Sequence, residues 1–493
     1  MRILQSIYPL KSSDDTITLG EPYEIPIIAR GRIITQYSQS FGGRYGTATF
    51  ITPDCNKYLH SIVQTNPSAL KALYNLSIDE ILDFLHDLGQ CLTLEDNEYL
   101  NQAFELGCET SGLTAPVLRN IYDSLSLFLN KSVLREMLEK RVGIRYLEEW
   151  VPTKLIDGRT VFIRAFGSRA IHIIAGNLPL VAVGTIARSC ATRCDTIIKL
   201  PSNDPFTAIA LVRTMIDMEP NHPITKSVSV AYWKGGDISF EEKLYRPENI
   251  EKIIAWGGFA SIKHITRYLQ PGIDLITLDP KLSTSIIGQE AFSDENTLRT
   301  VAQRAAIDVG AYNQEACVNS RVIYVQSGTN PEGIKKLNLL AAYLYYSLLK
   351  LPNHVSTPSK VINPELNALI DGIRLNNDFY IIFGGENNEG CVIASQFDEP
   401  VDFSVKLCGR VVNLVPIDDL QTAINSVNSY TQTVGVYPEQ LKKEIRDDLI
   451  LHGVQRIVSL GFAPMGSFGT PQDAIEPLRR MCKWIMDESS IPS

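Results

Sequence analysis

The sequence predicts an α/β protein: an open Rossmann-type parallel-sheet domain, a second α/β domain and a protruding β-hairpin. Three observations carry that reading. β-rich and helix-length segments alternate from residue 170 to 278, the alternation resumes after Asp279 around a long helix, and Leu155 to Ile163 holds an Asp-Gly turn between two β-rich arms. The 493 residues allow two to four folding units with sizeable cores, and 44% apolar with 20% charged residues is an ordinary globular composition.

Up to about residue 66, short β-rich runs alternate with turn signals, among them Phe41 to Gly46 and the Thr52-Pro53-Asp54 break, which predicts an antiparallel or edge-strand preamble. From Pro67 to about Glu149 the period becomes helical, with Leu70, Leu73, Leu76 and Ile78, Ile81, Leu82, Leu85 on apolar faces, and a long amphipathic run from Ala115 to Arg145. Asp157-Gly158 suits a tight type I′ turn, which predicts an extended hairpin able to bind a neighbour. Strands are then expected at 171–175, 196–200, 227–232, 252–256 and 273–278, a parallel sheet with its ligand at the carboxyl ends. The second unit is expected to carry a helix within 293–312, a strand at 321–326, a helix over 335–350 and strands at 380–383 and 411–415. A Gly-rich loop at 461–469 and a helix over 473–486 close the chain. The divisions expected are 1–150, N-terminal β-rich and helical; 151–167, an oligomerisation hairpin; 168–290, the open sheet; 291–435, the second α/β unit; and 436–493, a closing segment.

Charge excludes one class of partner. With 46 Lys plus Arg against 55 Asp plus Glu, the net charge is −9 and the pI about 5.4, the wrong sign for a nucleic-acid surface. The longest apolar stretches, such as Leu178 to Ala187, fall short of the roughly 18–20 residues of a membrane span, and the N-terminus, with Arg2 and Lys11 before Ser12-Ser13-Asp14-Asp15, lacks the apolar segment of a secretory signal. The nine cysteines form no Cys-x-x-Cys pair, which suits reduced thiols and a cytoplasmic location. The seven histidines never fall at metal-ligand spacing, so no metal is expected.

Several residues sit where chemistry is placed. Cys317 lies in the polar loop Tyr312-Asn313-Gln314-Glu315-Ala316-Cys317-Val318-Asn319-Ser320-Arg321 between helix and strand, where a thiol can be exposed; a small buried filler is the ordinary alternative. Asn177, in Gly176-Asn177-Leu178-Pro179, follows the first strand of the sheet and opens a helix. It suits an oxyanion donor, or simply a strand-to-helix turn. Lys199-Leu200-Pro201-Ser202-Asn203-Asp204-Pro205 ends the second strand; its Lys and hydroxyl suit an adenosine ribose or 2′-phosphate, and Ser202 or Asp204 could instead be an N-cap with Pro205 at the first helical position. Gly235-Gly236 and Gly257-Gly258 allow close backbone approach, although no full G-x-G-x-x-G is present. Gly466-Ser467-Phe468-Gly469 follows Met465 and is therefore no nucleophile elbow. Tyr343, Leu344, Leu348 and Leu349 form a stripe that lines either an acyl channel or plain core.

In order, the Asp-Gly hairpin, Gly-Asn-Leu-Pro, Lys-Leu-Pro-Ser-Asn-Asp-Pro, Gly257-Gly258 and Asn-Gln-Glu-Ala-Cys resemble the aldehyde dehydrogenase superfamily. Tyr430 to Val436, Gly453 to Ile457 and Gly469 to Asp473 are more similar to its acyl-CoA reductase (LuxC-type) branch, over most of the chain. The resemblance implies an aldehyde dehydrogenase-like fold and NADPH-dependent reduction of an acyl thioester, with long-chain fatty acyl-CoA the expected class, to the aldehyde through an acyl-cysteine. Cys317 would be the nucleophile and Asn177 the oxyanion donor, with Lys199, Ser202, Trp233, Gly257 and Gly258 on the cofactor. It also implies that 168–290 binds NADPH, 291–435 is catalytic, 436–493 packs back on the cofactor domain and an acyl-activating or acyl-transferase subunit is a partner, while the 151–167 hairpin itself predicts a homo-oligomer. The superfamily's Glu-Leu-Gly-Gly is expected at Leu269-Gln270-Pro271-Gly272, which lacks the water-activating glutamate. Ser202 stands where a ribose-binding Glu is usual, which leans toward NADPH, and Leu407-Cys408-Gly409-Arg410 fills the region of the nicotinamide-side Glu. An aldehyde dehydrogenase acting toward the acid, or a non-reducing acyl-accepting scaffold subunit, are the other readings.

Overall fold

A computed structural model describes residues 22–42, 49–278, 281–360, 363–466 and 469–488. The N-terminal signal reading, the glycine turn at 43–46 and Ser467-Phe468 lie outside the described residues.

Two seven-stranded sheets organise the chain. The first runs, in spatial order, Asp274–Leu278, Lys252–Trp256, Arg169–Ile173, Asp195–Lys199, Val228–Ala231, Ile27–Ala29 and Arg32–Ile34; the first five are parallel and the last two join antiparallel. Its five parallel strands are the expected five. They read as continuous apolar runs because both faces are covered. The helices at 78–147 pack with Leu180–Ala191 and Thr207–Met218 on one face, and Cys55–Ile62, Ile238–Leu244 and Phe259–Thr266 pack on the other. Strand order reverses beside Arg169–Ile173, which pairs with the next strand in sequence on one side and with Lys252–Trp256 on the other. A crevice at such a reversal is where open α/β sheets bind ligands.

The second sheet runs Tyr380–Gly384, Cys391–Ser395, Val411–Pro416, Ser320–Val325, Leu282–Ile287, Thr431–Tyr437 and Arg456–Ser459, all parallel except the antiparallel edge strand Tyr380–Gly384. Helices Glu295–Gly310 and Pro331–Leu349 cover one face; Leu420–Ser426 and Glu439–Leu451 cover the other. Leu344 and Leu348 are buried in that first core while Leu349 is exposed, so the Tyr343 stripe is packing and not a channel.

Four local expectations are corrected. The run 115–145 is broken into Ala115–Asp123, a 3₁₀ turn Leu125–Leu129, Lys131–Arg141 and Ile144–Glu148, because extended Asn130 caps a new helix through Ser132 N and Val133 N and Gly143 takes φ +83°. The Asp157-Gly158 turn is not type I′. Only Gly158 has positive φ (+89°), and Leu155 N bonds Arg159 O at 2.8 Å around a three-residue loop. Helix Thr207–Met218 starts beyond Pro205, with Asp204 accepting from Thr207 N at 3.1 Å. The closing helix is only Pro477–Met481; Lys483–Glu488 is a strand that pairs antiparallel with Thr160–Phe166, which in turn pairs with Val151–Lys154. The hairpin is therefore part of a three-stranded sheet whose two edges are open among the described residues.

Candidate active site

Parallel pairing sends every strand of the first sheet to one carboxyl edge, and the singled-out residues collect there. Asn177 follows Arg169–Ile173, Lys199 ends its own strand with Ser202 in the turn beyond it, Trp233 follows Val228–Ala231, and Gly257-Gly258 follow Lys252–Trp256. Lys199 and Gly257 are separated by one strand, about 10 Å at sheet spacing.

On the Lys199 side, the amino group lies 5.7 Å from the Tyr232 ring and 5.5 Å from the Trp233 ring. Burial pushes the amine down to about 8, with the Glu241 carboxylate pulling it back up. Among the described residues its amino group makes no hydrogen bond or ion pair. An incoming phosphate would compensate this half-buried charge. Beneath it, fully buried Glu241 accepts from Trp233 Nε1 (3.2 Å), Gly236 N (3.2 Å) and Tyr268 Oη (2.9 Å), and its carboxylate lies 2.6 Å from His264 Nε2. Sequence reading missed this residue, because its partners come from three elements. Exposed Gly258 is the N-cap of Phe259–Thr266 and no side chain caps it, so the first N–H groups of that helix face the edge. A cation and flat rings at one end and uncapped helix N–H groups at the other suit a flat-ringed, anionic ligand.

Cys317 sits between helix Glu295–Gly310 and strand Ser320–Val325, facing the same edge. Asn177 Nδ2 donates to Glu315 O at 3.1 Å, tying the first sheet's turn to the cysteine loop; among the described residues its second N–H has no acceptor. Tyr312, Asn313 and Gln314 take φ of 55°, 54° and 65°, three consecutive non-glycine residues in the left-handed region at about 1–2 kcal/mol each. Buried side chains hold them there. Asn313 accepts from Thr357 N (2.8 Å) and donates to Thr114 Oγ1 (3.2 Å), and Gln314 bonds Ser320 O, Val411 O and Val411 N at 2.8–3.0 Å. Asn319 Oδ1 accepts from Ala316 N (3.1 Å), and Ser283 Oγ donates to Cys317 O (2.7 Å). Strain held so firmly clusters at functional sites.

Cys317 is solvent-accessible but walled by protein, and that crowding, followed by the Asp473 charge, pushes its thiol up to about 11. A hydrogen bond from the Gln432 side chain, its own backbone N–H and Arg321 pull it back. Gln432 and Asp473 lie in the segments similar to the acyl-CoA reductase branch, and nothing local in the sequence marks either as a neighbour of Cys317. Among the described residues no cluster could hold a metal.

Leu269 to Gly272 needs a correction. This segment enters Asp274–Leu278 at its amino end, with Gln270 Nε2 on Tyr245 O, at the edge opposite Asn177 and Cys317. Its lack of glutamate has no bearing on water activation at the thiol. The carboxyl end of that strand is the relevant place, and there Leu278 is followed by Asp279 and Pro280, which lie outside the described residues.

Similarity to known proteins gives the family. Residues 73–484 match the family described as acyl-CoA reductase (LuxC). The chain belongs to the acyl-CoA reductase family. It is 28% identical over 471 residues to the long-chain acyl-protein thioester reductase of Vibrio harveyi, covering 94% of this chain and 93% of that one. It is 30% identical over 446 residues to that of Photorhabdus laumondii, covering 88% and 86%. The fold is that of aldehyde dehydrogenases: an NADP-dependent glyceraldehyde-3-phosphate dehydrogenase from Bacillus halodurans, solved with NADP, superposes with a TM-score of 0.70 at 14% identity, covering 94% of this chain and 99% of that one. Lactaldehyde dehydrogenase from Escherichia coli gives 0.70 at 14%, covering 96% and 100%.

Proposed function

We propose that this acyl-CoA reductase family member passes its acyl group through Cys317, with Asn177 and the Cys317 backbone N–H holding the oxyanion. The chain reduces an acyl thioester to the aldehyde, using NADPH. The observation that carries the assignment of residues is the Asn177–Glu315 bond at 3.1 Å, which brings an amide donor to an accessible thiol.

Cys317 sulfur attacks the thioester carbonyl, the C–S bond to the donor breaks, and the thiol proton ends on the departing thiol. Asn177 and the backbone N–H stabilise the tetrahedral oxyanion. When bound, NADPH supplies the hydride that converts the acyl group to an aldehyde. Lys199 and Ser202 would hold its adenosine side over the Tyr232 and Trp233 platform, and Gly257, Gly258 and the uncapped helix behind them its diphosphate. Cys317 then departs from the carbonyl carbon as thiolate. In sum, thioester, NADPH and a proton give aldehyde, free thiol and NADP⁺.

The relatives' name speaks of a long-chain acyl-protein thioester, so a fatty acyl group on a partner protein, or on coenzyme A, is the donor we assign here. The exposed Phe162, Ile485 and Met486 on the open-edged three-stranded sheet support self-association through it. All nine cysteines are free, in keeping with a cytoplasmic location. Among the described residues no helix is long and apolar enough to cross a membrane. The test is NADPH oxidation, followed by absorbance, against acyl thioesters of graded length, wild type beside Cys317→Ser. Thioester-dependent oxidation that disappears in the variant is expected; oxidation surviving in Cys317→Ser would move the nucleophile elsewhere.

A further inference from the structure

We propose that Gln432 is a further catalytic residue of acyl transfer, donating an amide N–H to the Cys317 sulfur as the thiolate forms, and that Asp473 is the positioning residue that turns this amide toward it. The proposal rests on Cys317 being the nucleophile.

Two sets of contacts bring Gln432 to the sulfur. Thr431–Tyr437 pairs with Leu282–Ile287, and a single hydroxyl, Ser283 Oγ, accepts from Thr433 N at 3.2 Å and donates to Cys317 O at 2.7 Å. Beside it Gln432, only 6% exposed, carries its side-chain amide near the Cys317 thiol and favours the ionised form. The amide's orientation is the informative part. Gln432 Nε2 donates to Asp473 Oδ1 at 2.7 Å, while the buried Oε1 has no partner among the described residues. An ionised carboxylate only accepts, so Asp473 fixes which end of the amide is NH₂, and that NH₂ has a second hydrogen to give. With Oε1 unpaired, no other bond to that amide sets its direction. A buried unpaired acceptor is costly and calls for a reason.

Asp473 is itself held at some cost. It and Ala474 take φ of 49° and 60° in a tight turn closed by Gln472 and Ile475, whose backbone bonds are 2.9 and 3.0 Å. A carboxylate is otherwise an odd neighbour for a thiolate, because its charge opposes ionisation. The other charges acting on the thiol, Arg321 and Arg456, are cations. Gln432 neither takes nor gives a proton in this role; the thiol proton still leaves with the departing thiol.

The experiment compares the pH profile of Cys317 alkylation by iodoacetamide, located by peptide mass, with single-turnover acylation in wild type, Gln432→Ala, the near-isosteric Gln432→Met and Asp473→Asn. NADPH binding by fluorescence titration serves as the check on folding. Both Gln432 variants should alkylate and acylate about tenfold more slowly near pH 8, the equivalent of one pKa unit, with the profile displaced to higher pH and NADPH binding unchanged. Asp473→Asn separates the two effects of Asp473 by sign. If its charge alone mattered, the thiol would react faster; as the positioning residue, its loss slows the thiol, and in a Gln432→Ala background the same change speeds it. Wild-type profiles in both Gln432 variants would overturn the role of Gln432, and a faster thiol in Asp473→Asn alone would overturn that of Asp473. An acyl label found in wild type on a residue other than Cys317 would instead overturn the nucleophile assignment beneath both.

Discussion

At the scale of single residues, two side chains are expected to separate chemistry from binding. Asn177→Ala should lower turnover about 10²-fold or more, the usual loss of one oxyanion donor, with little change in NADPH affinity; steady-state kinetics with saturating NADPH would show it. Lys199 should act only on the cofactor. Its amine, held near 8 by burial, is charged below that pH and loses its charge above it, so the KM for NADPH should rise as pH passes 8 while that for NADH, lacking the 2′-phosphate, changes little. Lys199→Ala should remove both the NADPH preference and this pH dependence. The positions of Asn177, Lys199 and Cys317 were legible because each ends a strand or joins a helix to a strand, which local pattern reveals. Gln432 and Asp473, 41 residues apart, were not, since only the tertiary fold joins them.

At the scale of elements, the cysteine loop is where local preference and fold disagree. Nothing in Tyr312-Asn313-Gln314 announces three left-handed residues; buried hydrogen bonds from two other segments impose them. Gln314→Ala should therefore destabilise the protein by about 3 kcal/mol or more, leaving Val411 and Ser320 backbone groups unpaired, and should slow acylation besides, measured as a shift of the urea midpoint and a fall in single-turnover rate. The same contest explains the misread C-terminus. Residues 473–486 carry helical spacing, but the left-handed pair at 473–474 delays the start, and pairing of Lys483–Glu488 with Thr160–Phe166 claims the end. The strands of the first sheet were legible for the opposite reason. Buried on both faces, they show apolar runs whose propensity, pattern and burial agree.

Across the whole molecule, two doubly covered sheets meet so that the carboxyl edge of one faces the loop before the central strand of the other, and the Asn177–Glu315 bond spans that junction. Alternation of strands and helices predicted the architecture, and the N-terminal runs read as antiparallel or edge strands; which sheet Ile27–Ala29 and Arg32–Ile34 join, from more than 130 residues away in sequence, had no local signal. The open three-stranded sheet makes a further prediction: light scattering should return at least twice the 54.9 kDa of one chain, and a charge placed at Ile485 should reduce it; a monomer at working concentration would count against pairing through that sheet. The central claim is that the acyl group rests on Cys317 before it is reduced. It is tested most directly by mixing the protein with a labelled acyl thioester without NADPH, mapping the label by peptide mass, and then adding NADPH. The account predicts one acyl group per chain on Cys317, chased into free aldehyde at a rate no slower than turnover. Label absent from Cys317, or label that stays bound while aldehyde is produced, would contradict it.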